Sequence, residues 1–252
     1  MKYHISICLV ILIFFICGCN FFAPKSPPPP DPNVEGTLSI ETDNYANKTL
    51  EFYYYIPKSH PKSKKMPLLI LMHGTNVRSD ILATPEMKDL AEQEGFTIIA
   101  PSFRFDEENF ASQTCYYFPK VWSGQALLNI IDELKFKKGI NPGKLYMYGF
   151  SAGAQFSGRF ACLHPELVSA AAVCGSGGTI GPFRPMDVKF FLGLGNKEQE
   201  HRKLVVEQFL DSAKRNNVSV EYKEYEGGHG ATPELQKYVI DFLKKVKAEN
   251  KE

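Results

Sequence analysis

From residue 36 to the C-terminus, short and almost wholly apolar runs alternate with longer stretches that are apolar on one side only. Pro67-Leu68-Leu69-Ile70-Leu71-Met72 and Phe96-Thr97-Ile98-Ile99-Ala100-Pro101 have almost no polar face. That pattern fits strands covered on both sides, as in a parallel sheet sandwiched by helices. Between them, Thr84 to Glu94 reads as a helix. The alternation continues with a helix over Ser123–Phe136, a strand over Lys144–Tyr148 and a helix after Ser151. Strands over Val168–Cys174, Val188–Leu194 and Val218–Tyr225 follow, separated or closed by helices over Glu200–Asn216 and Pro233–Lys247. Gly36–Glu41 and Leu50–Pro57 read as an early antiparallel hairpin. The expectation is an α/β domain over residues 36–252, built on an eight-stranded, mostly parallel sheet flanked by helices. Only Gly175 to Asp187 join two late strands, too few residues for a helical cap domain.

The first 35 residues read differently. Met1-Lys2 precedes an apolar stretch from Ile5 to Ile16, short for a bilayer span and typical of a signal peptide. Ile16-Cys17-Gly18-Cys19 resembles the lipobox of bacterial lipoproteins. The resemblance implies removal of residues 1–18 as a signal peptide and lipid attachment to Cys19, anchoring the chain to a membrane outside the cytoplasm. Asn20, in place of an inner-membrane retention aspartate, favours the outer membrane. Residues 19–35, with four consecutive prolines at Pro27–Pro30, read as an extended tether.

Composition excludes some functions. A net charge of +1 and the lack of a basic stripe interleaved with aromatics give no footprint for nucleic acid. No His/Cys cluster has metal-ligand spacing, so neither a structural metal nor a cofactor is expected. Outside the signal peptide and Cys19, the cysteines are Cys115, Cys162 and Cys174, and an oxidising compartment predicts one disulfide plus one buried thiol.

Chemistry concentrates at three places. Gly149-Phe150-Ser151-Ala152-Gly153 is a G-x-S-x-G pattern between a predicted strand and a predicted helix. A turn that lifts a serine off the sheet edge leaves no room for bulky neighbours, and the helix N-terminus supplies amides that can hold an anion. A serine hydroxyl needs a base within hydrogen-bonding reach. His229, in Glu226-Gly227-Gly228-His229-Gly230 after the last predicted strand, falls on the same carboxyl edge of the sheet. His60, His164 and His201 sit in a loop, near a helix end and at a polar helix start. The third place is Met72-His73-Gly74-Thr75-Asn76, directly after an apolar strand.

With these motifs, the chain from about residue 36 resembles an α/β-hydrolase. The stretch WSGQALLNIIDELKFKKGINPGKLYMYGFSAGAQFSGRFACLHPEL resembles the extracellular poly(3-hydroxybutyrate) depolymerase and feruloyl/acetylxylan esterase group. The resemblance implies a serine esterase working through a Ser-His-acid triad on small or polymeric ester substrates, with a serine peptidase of the same fold or a non-catalytic surface-binding lipoprotein as the alternatives. It places the acid in the loop after the strand before His229, where Glu198 stands three residues after Gly195, with Glu200 and Asp187 as alternatives. An oxyanion hole would use the backbone N–H of Ala152 and that of Thr75 or Asn76, leaving His73 a structural role. Tyr116, Tyr117 and Trp122 lie on the active edge, either flooring a substrate pocket or packing as core.

Overall fold

The computed structural model describes residues 34–42, 49–59, 64–75, 78–104, 114–182 and 184–250. The predicted signal peptide, Cys19 and most of the tether lie outside them, as do His60 and Asn76. Eight strands form a single sheet in the order β1-β2-β4-β3-β5-β6-β7-β8. β1 (Glu35–Glu41) and β2 (Thr49–Tyr55) make the antiparallel hairpin, and β2 joins β4 (Thr97–Pro101) antiparallel. All later pairings, through β3 (Lys65–Met72), β5 (Asn141–Phe150), β6 (Val168–Cys174), β7 (Lys189–Gly195) and β8 (Val220–Tyr225), are parallel.

Strand pleating divides the apolar runs between two cores. Leu68, Ile70, Met72, Met147, Val173 and Leu192 face one side, where α2 (Ser123–Lys138), α3 (Ala152–Leu163) and α4 (Glu200–Arg215) pack through residues such as Ile130, Phe156 and Phe209. Leu69, Leu71, Tyr146, Tyr148, Ala172 and Phe191 face the other, covered by α1 (Pro85–Glu94) and α5 (Pro233–Asn250) through Leu90, Leu235 and Phe242. This double burial explains why the central strands carry no polar face.

Element boundaries shift where backbone geometry overrides composition. Asn217 has a positive φ of 53° and the Val218 N–H still bonds Ala213, so β8 begins at Val220 rather than Val218. A 3-10 turn at Ser79–Leu82, not anticipated from the sequence, leads into α1. Residues 175–182 and 184–188 between β6 and β7 carry no helix.

The disulfide expectation is corrected: no disulfide joins Cys115, Cys162 or Cys174. Cys115 and Cys174 are buried in different cores, on opposite faces of the sheet. Cys162 lies on α3, where burial raises its thiol pKa to about 12. The three behave as small apolar fillers.

Candidate active site

Strand β5 turns into α3 at Ser151, which takes φ 58° and ψ −117°, a positive φ rare outside glycine. The flanking glycines are required by contact. A Cβ on Gly149 would stand 2.1 Å from the Gly153 carbonyl oxygen, and one on Gly153 would stand 2.0 Å from that of Met72. The strained turn is held by the Ser151 N–H, which donates to the Cys174 carbonyl at 2.9 Å. Ala152 opens α3, so its amide is among the first-turn N–H groups that no carbonyl within the helix can accept.

His229 stands between Ser151 and Glu198. Its Nε2 is 2.9 Å from Ser151 Oγ, and its Nδ1 is 2.6 Å from Glu198 Oε1. The Glu198 side chain is only 1% exposed, whereas that of His229 is 36% exposed. One ring nitrogen therefore meets a buried carboxylate while the other meets the serine near solvent. The Phe150 ring packs on the imidazole at 4.9 Å between centroids and limits its rotation. Of the two alternative acids, Glu200 is exposed and pairs with Lys203 at 3.4 Å, and Asp187 is exposed ahead of β7.

The loops bearing Glu198 and His229 are tied together beside the site. The Lys197 N–H donates to the Gly227 carbonyl at 2.8 Å, and the Gly227 N–H to Asn196 Oδ1 at 3.1 Å. Asn196 Nδ2 and Lys197 Nζ both donate to the Glu226 carboxylate, at 2.6 and 2.5 Å. The Tyr225 hydroxyl donates to the Gly230 carbonyl at 2.9 Å. Behind the acid, Arg202 Nε lies 3.5 Å from Glu198 Oε2, and its Nη1 donates to the Gly175 carbonyl at 2.5 Å. Burial lowers the Arg202 pKa, and the Glu198 charge opposes that shift. Sequence reading missed Arg202. Its spacing of four residues from Glu198 is the signal that points to it.

The loop after β3 lies against the serine, since a Cβ on Gly74 would come 3.5 Å from Ser151 Cβ. Thr75 follows, half-buried; Asn76 is outside the described residues. His73 is 2% exposed, and burial lowers its pKa, which suits a neutral packing residue. The Tyr116 hydroxyl donates to the His73 carbonyl at 2.7 Å and so pins this loop. Of the two roles expected for Tyr116, Tyr117 and Trp122, core packing is visible: they are 0, 4 and 6% exposed and belong to one core cluster. Trp122 donates its indole N–H to the Thr114 carbonyl at 2.6 Å, and its ring meets that of Phe103 at an interplanar angle of 66°. His164 caps the end of α3 and His201 is exposed on α4, both away from this constellation. Among the described residues, no group of three or more His, Cys, Asp or Glu side chains is placed to hold a metal.

Residues 67–245 match the alpha/beta hydrolase fold family, and the chain belongs to it. Over 147 residues it is 24% identical to feruloyl esterase B of Talaromyces stipitatus, a match covering 56% of this chain and 40% of that protein. The chain thus spans well under two-thirds of that relative's length. A thermostable esterase superposes with a TM-score of 0.63 at 17% identity, over 86% of this chain and 62% of the other. A poly(3-hydroxybutyrate) depolymerase from Bordetella parapertussis gives 0.58 at 14% identity, over 83% and 87%. At these identities the structural likeness is one of fold.

Proposed function

We propose that the chain is a serine hydrolase of carboxylic esters, with Ser151 as nucleophile, His229 as base and Glu198 as the acid that orients it. The observation that carries this reading is the pair of contacts made by one imidazole, 2.9 Å to Ser151 Oγ and 2.6 Å to Glu198 Oε1. In the proposed reaction His229 Nε2 takes the Ser151 proton as Oγ attacks the ester carbonyl carbon. Glu198 accepts the Nδ1–H, fixing the tautomer and balancing the imidazolium that forms. Negative charge developing on the carbonyl oxygen meets the N–H groups of Ala152 and Thr75. His229 then protonates the departing alkoxide, leaving an acyl-serine, and activates a water that releases the carboxylic acid and regenerates Ser151.

Similarity to a protein named feruloyl esterase B supports feruloyl esters, free or glycan-linked, as the substrates to try first. Lipid attachment at Cys19 would place this activity at the outside of a bacterial membrane, where polymeric esters are accessible. Both are part of the proposal.

A fluorophosphonate probe tests the core of it. Wild type should label and Ser151→Ala should not; equal labelling of both, or of neither, rejects Ser151 as an activated nucleophile. Methyl ferulate and p-nitrophenyl esters should then be cleaved in preference to a peptide amide, and amide cleavage exceeding ester cleavage would make the chain a peptidase. Incorporation of a palmitate analogue into wild type but not Cys19→Ala tests the anchor.

A further inference from the structure

A cleft of about 470 Å³ opens on the flank of α3, away from Ser151. Phe118, Leu163 and Ile180 supply its apolar wall, and Lys120, Arg159 and Thr179 its polar groups. Arg159 lies eight residues beyond Ser151 on α3, about 12 Å along the axis at the usual helical rise. The Gln155 side chain stands between them, filling the space a Cβ on Gly178 would need.

Arg159 is anomalous. The guanidinium is held in place by donating from Nη1 to the Tyr117 carbonyl at 3.0 Å and from Nη2 to the Thr179 carbonyl at 3.4 Å. The Phe118 ring lies against it, 4.2 Å from Cζ to the centroid. None of these contacts neutralises its charge, and no acidic side chain lines the cleft among the described residues. Burial lowers the Arg159 pKa, and no carboxylate opposes that shift. Arg184 is close enough to lower the pKa of the Cys162 thiol on the same wall, adding positive potential. Charges taken out of water are normally paired, and this half-buried one is oriented by carbonyls with no carboxylate partner among the described residues. The volume falls in the range of small-molecule sites, which are mostly apolar with a few fixed polar groups.

We propose that this cleft binds organic carboxylates, the carboxylate pairing with Arg159 and the hydrocarbon body lying on Phe118, Leu163 and Ile180. A planar guanidinium fork matches a carboxylate bidentately, and the stacked Phe118 ring pre-orients it. The carboxylate would come either from a free organic acid or from the acid-bearing far end of an ester substrate. The site stands without the proposed hydrolase activity, because binding can be read with the serine removed.

The test is calorimetric titration of the full chain carrying Ser151→Ala with cinnamate, hexanoate, and the matching amides. The carboxylates should bind at least tenfold more tightly than the amides. Adding Arg159→Met should cost at least tenfold in carboxylate affinity while the amides change little. Because Arg159→Met removes two backbone hydrogen bonds, Leu163→Trp provides a second route. It fills the exposed rim, leaves the guanidinium in place, and should weaken the carboxylates to a similar degree. Equal affinity for acid and amide overturns the proposal. So does binding that survives both substitutions, or that disappears from wild type once a fluorophosphonate occupies Ser151. A lower KM for esters bearing a remote carboxylate, lost in Arg159→Met at constant kcat, would assign the carboxylate to the substrate. Carboxylate binding with no such KM effect would assign it to a free acid.

Discussion

Replacing Glu198 by Gln tests the proposed mechanism at its most buried point. The carboxylate oxygen is 2.6 Å from His229 Nδ1, and the Glu198 side chain is 1% exposed. Taking about 4 Å between charge centres and an effective dielectric of about 20, the attraction to an imidazolium is about 4 kcal/mol. This is lost only when the imidazolium forms, so it falls on the transition state and corresponds to about 10³ in kcat/KM. A second effect acts in the same direction. The amide can present an N–H to Nδ1, favouring the tautomer whose Nε2 is already protonated and cannot accept from Ser151. Arg202, 3.5 Å away, would also lose its carboxylate, so a modest fall in melting temperature is expected. The assay is kcat/KM for p-nitrophenyl acetate with the fluorophosphonate labelling rate, read beside circular dichroism melts. Glu198→Asp, keeping the charge but retracting it by one methylene, should recover part of the loss. Glu200→Gln, on an exposed side chain, should cost less than twofold. A Glu198→Gln loss under tenfold in a folded protein, or a larger loss in Glu200→Gln, refutes the reasoning.

Gly153→Ala would place a Cβ 2.0 Å from the Met72 carbonyl oxygen, a clash between backbones that no rotamer relieves. Overpacking of this kind costs about 3 kcal/mol; a chemical denaturation midpoint unchanged from wild type would contradict the packing described here. Tyr116→Phe removes the donor to the buried His73 carbonyl, an expected loss of about 1–2 kcal/mol, and frees the loop carrying Thr75. If that loop supplies an oxyanion donor, kcat should fall more than KM rises; a change confined to stability would remove Thr75 from the site. Burial alone would raise the Glu92 pKa, but hydrogen bonds from Tyr55, the Lys58 N–H and Ser59 hold it down to about 2, from an ordinary 4.5. A carboxyl depressed on folding contributes stability that is complete above its unfolded value and lost as pH falls through the folded one. After solvent screening this is about 1 kcal/mol lost between about pH 4.5 and 2. Denaturant melts across that window should show it in wild type and not in Glu92→Gln.

The parts legible in the sequence are those where local pattern and final environment coincide. Leu68 to Met72 have no polar face because both cores claim alternate residues, so the buried strand is visible before any partner is known. The glycines around Ser151 are visible for the same reason, since the turn excludes Cβ atoms whichever segments surround it. Cys115, Cys162 and Cys174 mislead because pairing is a matter of distance and direction, on which an odd or even count is silent. Tyr116, Tyr117 and Trp122 stay ambiguous in the sequence for another reason. Each joins an apolar ring to a polar tip, a composition that suits a pocket floor or a core equally. Only the carbonyls of His73 and Thr114, remote or reached through the fold, decide that Tyr116 and Trp122 turn inward. The ties between Asn196 or Lys197 and Glu226 are harder still, joining exposed polar residues about thirty positions apart that carry no periodic signal. Yet those ties hold the Glu198 and His229 loops in register, and a displacement of about 1 Å between oriented groups is enough to cost about a hundredfold in rate. The chemistry is therefore written in a few short motifs, while the precision that chemistry would need is distributed over residues whose roles appear only once the chain is folded.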